Sequence, residues 1–248
     1  MLNYIEIVFK GYSQLQAEAN SIAWSYQSLI AKAKFIKARR IDIHIINSNE
    51  QYFQIDGPAD QKVDIEIAYD VNSYLQKEWE SRRKILYEII FYSMDALGKE
   101  NGWDLQHLET IKKDIIDREY TIYIAYSKAI KLQNTKGQLY LSYDVGYIDF
   151  RLNIYGKQPL PLKTISIFKS FPILYFVKSY LAEVMWLNDK TFRVADQNKE
   201  IFMDIDIEDE SVVINYEPKH NTLEALQKHI LAIKHDTPEH LRKQYMQA

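Results

Sequence analysis

The stretch Gly98 to Thr110, GKENGWDLQHLET, separates two helical patterns and decides the middle of the fold. Before it, from about Ser73 to Lys99, apolar residues recur at every third or fourth position, as they do on the buried side of a helix. A second pattern of this kind runs from Asp104 to about Arg118. The sequence therefore predicts a helix–corner–helix in the middle of the chain.

A glycine, a tryptophan and an aspartate with a nearby histidine resemble an active site, but each residue of this corner has a structural explanation. Gly102 suits the left-handed position that closes a helix. Asp104 suits the N-cap of the next helix, where it accepts a hydrogen bond from an amide two or three positions on. Trp103 is placed to pack on Leu108 in a hydrophobic staple. The corner is therefore interpreted as a joint and not as a site.

Blocks of alternating residues on either side of this joint indicate strands. Residues 63, 65 and 67 are apolar whereas Asp64 and Glu66 are charged, which predicts a sheet with one solvated face. Further runs predict a first strand over 2–9, a helix over 12–38, a strand meander over 120–155 and a short helix after Pro172. Beyond residue 183 they predict two hairpins, the first with Asn188 and Asp189 at its turn, and a final helix from Asn221 or Thr222. Strands and helices come in blocks, which favours an α+β fold with antiparallel sheets and three to five helices.

The connector Gly156 to Lys163, GKQPLPLK, is the one Pro/Gly-rich segment of the sequence. Such segments commonly join domains. The sequence therefore predicts an α+β domain over 1–157 and a smaller α+β domain over 158–248, a pair that is also compatible with packing as one unit.

Composition excludes several classes of protein. The chain has no cysteine, which removes disulfides and thiolate chemistry and is compatible with a reducing compartment, so a cytoplasmic location is expected. A net charge of −3 makes nucleic acid an unexpected partner. The most apolar segment carries Lys178 and Glu183, so no membrane partner is expected either. Phosphate-binding glycine loops, the hydrolase nucleophile elbow and the H-E-x-x-H motif are all missing, and no cofactor is expected.

The sharpest local feature is MDIDIEDE, Met203 to Glu210. At strand spacing Asp204, Asp206 and Glu208 share one face. Such carboxylates make the solvated face of a half-buried strand, an acidic surface for a basic partner, or a site for Mg²⁺ or Mn²⁺. All three interpretations are compatible with the sequence.

Tyrosine is unusually frequent, with 19 residues, and seven of them lie between Tyr120 and Tyr155. Tyrosines pack across strands, but they are also enriched at protein interfaces. With Tyr147, the neighbouring Asp144 and Asp149 would make a surface suited to a basic protein. In the preceding helix, Arg82 or Arg83 interrupts the apolar stripe, and we expect a partly buried stem or a structural ion pair there.

The segment Arg82 to Ile115, RRKILYEIIFYSMDALGKENGWDLQHLETIKKDI, resembles bacterial polymorphic-toxin immunity-type proteins. The resemblance covers about a seventh of the chain and rests on an amphipathic helix, the Gly-Trp-Asp corner and a second helix. It implies a cytoplasmic, non-enzymatic protein that binds and neutralises a partner toxin, and it transfers no catalytic residue.

Three functions follow from these observations. The first is a non-catalytic protein-binding protein that uses an acidic, tyrosine-rich surface against a basic partner, and the resemblance implies the immunity type. Its expected contact residues are Asp144, Tyr147, Asp149, Asp204, Asp206 and Glu208. The second is a metal-dependent hydrolase of phosphoesters, with the last three residues as ligands and a histidine as base. The third is a scaffold subunit of a larger assembly.

Overall fold

The computed structural model describes residues 2, 4–30, 33, 35–57, 61–145, 147–170 and 181–217. Helices and sheets are mixed in the chain, consistent with the predicted α+β class. The expected short helix after Pro172 and the expected final helix from Asn221 or Thr222 lie outside the described residues. Among the described residues, no helix combines the length and apolar character that crossing a membrane requires.

The chain divides into two compact units. The first comprises Met1–Ile122 and Tyr143–Tyr147, and the second comprises Tyr123–Ser142 and Ile148–Ala248. The predicted connector does not coincide with these boundaries. Gly156 follows a strand over Ile148–Tyr155 and Lys163 lies within the next strand, Pro161–Ser170, so the connector belongs to a hairpin inside the second unit.

The first unit contains one four-stranded sheet and the α-helices of the described residues. Its strands are β1 (Tyr4–Phe9), β2 (Arg40–Asn47), β3 (Phe53–Asp56) and β4 (Lys62–Tyr69), in the order β1-β2-β4-β3. Its helices are α1 (Gln16–Ile30), α2 (Val71–Leu75), α3 (Trp79–Asn101) and α4 (Leu105–Asp117). β2 pairs in parallel with both β1 and β4, whereas β3 and β4 are antiparallel. The expectation of antiparallel strands therefore holds for β3 and β4 but is wrong for β1, β2 and β4. The parallel pairs arise because an intervening element carries the chain back to the starting end of the sheet, α1 between β1 and β2 and β3 between β2 and β4.

Helix α1 packs on β1 and protects that edge of the sheet. Its amide side chains bond the outward backbone groups of β1: Ile7 N donates to Asn20 Oδ1 at 3.3 Å, and Ile5 N donates to Gln27 Oε1 at 3.0 Å. Gln16 Nε2 donates to the Ile7 carbonyl at 2.7 Å. An exposed strand edge invites further pairing, so these bonds satisfy groups that would otherwise be open to another strand.

Two predicted helices are shorter in the structure than in the sequence pattern. The apolar spacing predicted a helix to Ala38, but α1 ends at Ile30, and Ile36 and Ala38 are buried in an irregular segment that leads into β2. The helix predicted from Ser73 divides into α2 and α3. The spacing of apolar residues indicates which side chains are buried. An irregular segment that packs against the core can bury residues at the same spacing as a helix, so the spacing alone does not show where a helix ends.

The joint between α3 and α4 has the predicted geometry. Gly102 caps α3 in the left-handed region, with φ 63°, and the Asp104 carboxylate accepts a hydrogen bond from His107 N at 3.0 Å. Trp103 and Leu108 are both buried. A Cβ atom at Gly98 would lie 2.6 Å from Leu105 Cδ2, so a glycine there lets α4 approach α3 closely.

We expect Trp103→Ala to lower the free energy of unfolding by about 3–5 kcal/mol, because it removes a large buried side chain from the joint. Chemical denaturation followed by circular dichroism measures this loss. Trp103→Phe, which keeps most of the buried surface, is the control and should lose much less. Equal stability of Trp103→Ala and the native chain would contradict the structural role of the joint.

The second unit is built from antiparallel strands. The strands are β5 (Tyr123–Ala125), β6 (Ile130–Leu132), β7 (Thr135–Tyr143, which ends in the first unit), β8 (Ile148–Tyr155), β9 (Pro161–Ser170), β10 (Glu183–Trp186), β11 (Thr191–Ala195), β12 (Ile201–Asp206) and β13 (Ser211–Tyr216). One sheet has the order β5-β7-β8-β9, with β6 paired to β7, and another has the order β10-β11-β12-β13. The pairs β5–β7, β6–β7 and β8–β9 are antiparallel, as are all neighbours from β10 to β13, in agreement with the prediction.

Candidate functional site

The first predicted carboxylate, Asp204, forms an ion pair with an arginine on the neighbouring strand. Asp204 on β12 lies opposite Arg193 on β11, and the guanidinium donates two hydrogen bonds to the carboxylate, at 2.6 and 2.7 Å. Asn215 Nδ2 donates a third at 3.1 Å. The Asp204 hydrogen bond raises the pKa of Arg193. Both oxygens of Asp204 are thus engaged within the sheet.

Asp206 shapes the turn that follows β12. Its Oδ1 atom accepts hydrogen bonds from the amides of Glu208 and Asp209, at 2.8 and 3.1 Å. These two bonds lower the pKa of Asp206, because they stabilise the ionised carboxylate. Glu208 is exposed and pairs with Lys190 at 2.8 Å. The three predicted residues therefore face different partners and do not converge as a ligand set would.

The turn lies at an end of the sheet where negative charge is in excess. Lys163 of β9 donates to the carbonyls of Ile207 and Glu208, at 2.8 and 3.1 Å, and lies 3.4 Å from the Glu210 carboxylate. Five carboxylates here face two ammonium groups, and we call this surface the acidic end. It consists of Asp189, Asp206, Glu208, Asp209 and Glu210 with Lys163 and Lys190.

Exposed apolar side chains directly precede residues of the acidic end in the chain. Leu160 and Leu162, immediately before Lys163, are 73% and 66% exposed. Leu187, immediately before the turn that contains Asp189, is 43% exposed. Single exposed leucines are common, but several that accompany a charged turn are typical of a protein contact surface.

The other predicted contact residues lie elsewhere. Asp144 and Tyr147 belong to the first unit, where Asp144 N donates to the Tyr147 carbonyl at 2.8 Å and the Asp144 carboxylate accepts from Arg83 Nη1 at 2.7 Å. Asp149 belongs to the second unit and is buried, with Arg151 Nε at 2.7 Å. Of the six predicted contact residues, the acidic end therefore contains Asp206 and Glu208. Asp204, on the same strand as Asp206, is paired with Arg193.

A second cluster of charge, which sequence reasoning missed, crosses the first sheet. The strand register places Glu6, Asp42, Asp64 and Asp56 side by side on four neighbouring strands. Like charges opposite one another are destabilising unless cations intervene. The alternation over 63–67 predicted a solvated face, but the strand register, parallel for three strands and antiparallel for β3, aligns the carboxylates in one row.

Two carboxylates of this row and a histidine next to it have metal-ligand chemistry. One oxygen each of Asp42 and Asp64 and one ring nitrogen of His44 lie within 4.8 Å of one another. The Lys62 ammonium, however, lies between the carboxylates, 3.2 Å from Asp42 and 2.8 Å from Asp64, and Arg40 Nε donates to both oxygens of Asp42. Burial alone would raise the pKa of Asp64, but hydrogen bonds from Lys62 and His44 outweigh it, so the pKa is lowered. The cations of the chain itself thus neutralise the cluster.

We expect Mg²⁺, Mn²⁺ and Zn²⁺ at millimolar concentration to leave the melting temperature of the native chain unchanged, because Lys62 already occupies the position between the carboxylates. Lys62→Met removes that ammonium, so Zn²⁺ should raise the melting temperature of this variant through Asp42, His44 and Asp64. Differential scanning calorimetry measures both. Lys163→Met, outside the cluster, is the control, and a metal-dependent rise in the native chain would contradict this interpretation.

Comparisons with models of known protein families, with curated proteins and with solved structures give no match.

Proposed function

We propose that the chain is a non-catalytic protein-binding protein and that the acidic end is its contact surface. The observation that carries the proposal is the excess of exposed carboxylates beside exposed Leu160, Leu162 and Leu187. Apolar side chains supply buried area in a complex, and surrounding charges select the partner and speed its approach. The surface combines these two elements.

The chemistry of the acidic end defines the class of partner. A basic protein segment that also presents apolar side chains would pair with Glu208, Asp209 and Glu210 while covering the leucines. Ion pairs with Lys163 and Lys190 fix the positions of the Glu210 and Glu208 carboxylates, so these side chains are already oriented before a partner binds. The resemblance of Arg82 to Ile115 to immunity-type proteins gives this partner a candidate identity, a toxin that the chain neutralises.

The alternative of a metal-dependent hydrolase has less support. Arg193 occupies both oxygens of Asp204, and the turn amides occupy Asp206. A divalent cation would need to displace these donors. The scaffold alternative uses the same exposed leucines and differs only in the number of partners.

We expect the double variant Glu208→Lys/Glu210→Lys to weaken partner binding at least about tenfold, mainly by slowing association, because it reverses the charge of the acidic end. The native chain captures its partner from an extract of the source cells, and isothermal titration and stopped-flow kinetics with the purified partner measure the change. High salt should slow association of the native chain more than that of the variant.

The matched control is Glu100→Lys/Asp117→Lys, an equal change of charge at exposed positions of the first unit. It should bind like the native chain. Equal binding by both double variants would refute the assignment of the contact surface. A partner with enzymatic toxicity that the native chain suppresses in a growth assay would support the immunity function, and undiminished toxicity would exclude it for that partner.

A further inference from the structure

A carboxyl group is buried among three helices of the first unit. Glu18 of α1 is 5% exposed, and its Oε1 atom has no hydrogen-bond partner among the described residues. The Ser21 hydroxyl, one turn further along α1, is also buried and unpartnered in the described part of the chain, and the buried Tyr74 hydroxyl of α2 faces the Glu18 carboxyl group. Buried polar groups are normally satisfied, so this group of atoms has unused bonding capacity.

Arg82 of α3 connects Glu18 with the end of α2. Its Nε atom donates to the Lys77 carbonyl at 3.0 Å, and its Nη2 atom donates to the Leu75 carbonyl. Its Nη1 atom lies 3.5 Å from Glu18 Oε2, which is long for a charge-assisted hydrogen bond. The guanidinium also lies over the rings of Tyr74 and Trp79, 5.4 and 5.7 Å from their centroids. The Arg82 guanidinium thus interacts both with the carbonyl groups at the end of α2 and with the Glu18 carboxyl group.

We propose that Glu18 is a proton-operated switch that decides how Arg82 is shared between the Glu18 carboxyl group and the carbonyl groups at the end of α2. When Glu18 is protonated, the neutral carboxyl group attracts Arg82 weakly, and the guanidinium stays on the Leu75 and Lys77 carbonyls. When Glu18 releases its proton to solvent, the buried carboxylate draws the guanidinium into a close ion pair. The end of α2 and the link to α3 then lose their cap.

The environment of Glu18 places this change near neutral pH. Burial raises the pKa of Glu18 from 4.5 to about 7, and Arg82 and then Tyr74 partly oppose that rise. The titratable or charged groups that face Glu18 are Arg82 from α3 and Tyr74 from α2, and Tyr69 lies behind Tyr74 with ring centroids 6.5 Å apart. The folded chain therefore binds this proton more tightly than the unfolded chain does.

The stability of the folded chain should fall as the pH rises through the pKa of Glu18. Since the pKa is raised on folding, the stability that the proton contributes is complete below pH 4.5 and is lost as the pH rises to about 7. Above that pH the folded chain carries a buried carboxylate, and Arg82 is the cation available to it.

The Arg82 side chain reports the switch directly. We expect the nuclear magnetic resonance signal of its Nε–H group, which donates to Lys77, to shift with a midpoint near pH 7 in the native chain. Amide exchange at Gln76 and Lys77, corrected for its intrinsic pH dependence, should accelerate through the same midpoint. Glu18→Gln, which keeps a neutral side chain of the same shape, should abolish both changes. Its melting temperature should also rise relative to that of the native chain as the pH increases from 5 to 8.

Two further variants keep the test decisive. Glu80→Gln, at an exposed position in the first turn of α3, should titrate like the native chain. Tyr74→Phe removes a hydroxyl that lowers the pKa of Glu18, so it should move the midpoint upward even if Glu18→Gln fails to fold. A native chain without a transition at Arg82 near pH 7, or a transition that survives in Glu18→Gln, would overturn the proposal.

Discussion

The enclosure of α1 is the constraint on which the first unit depends. The helix packs on β1 and against α3, and polar as well as apolar residues along it are buried. Every such polar side chain needs an internal partner, because water does not reach it. Asn20 meets this need on the backbone of β1, and Ser25 meets it on the Tyr87 hydroxyl at 2.7 Å. The half-buried Gln27 adds a second bond to β1, so these bonds orient the helix and cover the sheet edge. Ser21 and Glu18 are left with incomplete sets of hydrogen bonds among the described residues.

Internal cations determine which acidic residues remain available for function. Arg83 engages Asp144, Arg193 engages Asp204, and Lys62 with Arg40 engages the charged row of the first sheet. A carboxylate held by a well-placed guanidinium contributes little to an external partner, since binding would first break that pair. Within the described part of the chain, the acidic end combines a surplus of carboxylates with exposed leucines. The balance of charge therefore separates this surface from internal ion pairs whose acidic residues look the same in the sequence.

Local patterns predicted the parts of the fold that depend on local physics. Gly102 and Asp104 identified both ends of the corner, because caps are set by neighbouring backbone groups. The turn at Asn188 was also predicted, and its Oδ1 atom accepts from the amides of Lys190 and Thr191. Of the site, the sequence identified Asp206 and Glu208, but Leu160 and Leu162 lay in a segment interpreted only as a connector. No comparable local pattern in the sequence shows which strands pair with each other or where α1 ends.

The sequence by itself determined the α+β class, the helix–corner–helix and the positions of the acidic residues, since these follow from periodicity, capping and composition. Only the tertiary structure decided that β1, β2 and β4 run in parallel and that four carboxylates stand in one row. It also decided which arginine meets which carboxylate, and that Glu18 is buried beside Tyr74 and Arg82. These features join residues far apart in the chain, and their energies depend on distance and burial, which no single stretch of sequence contains.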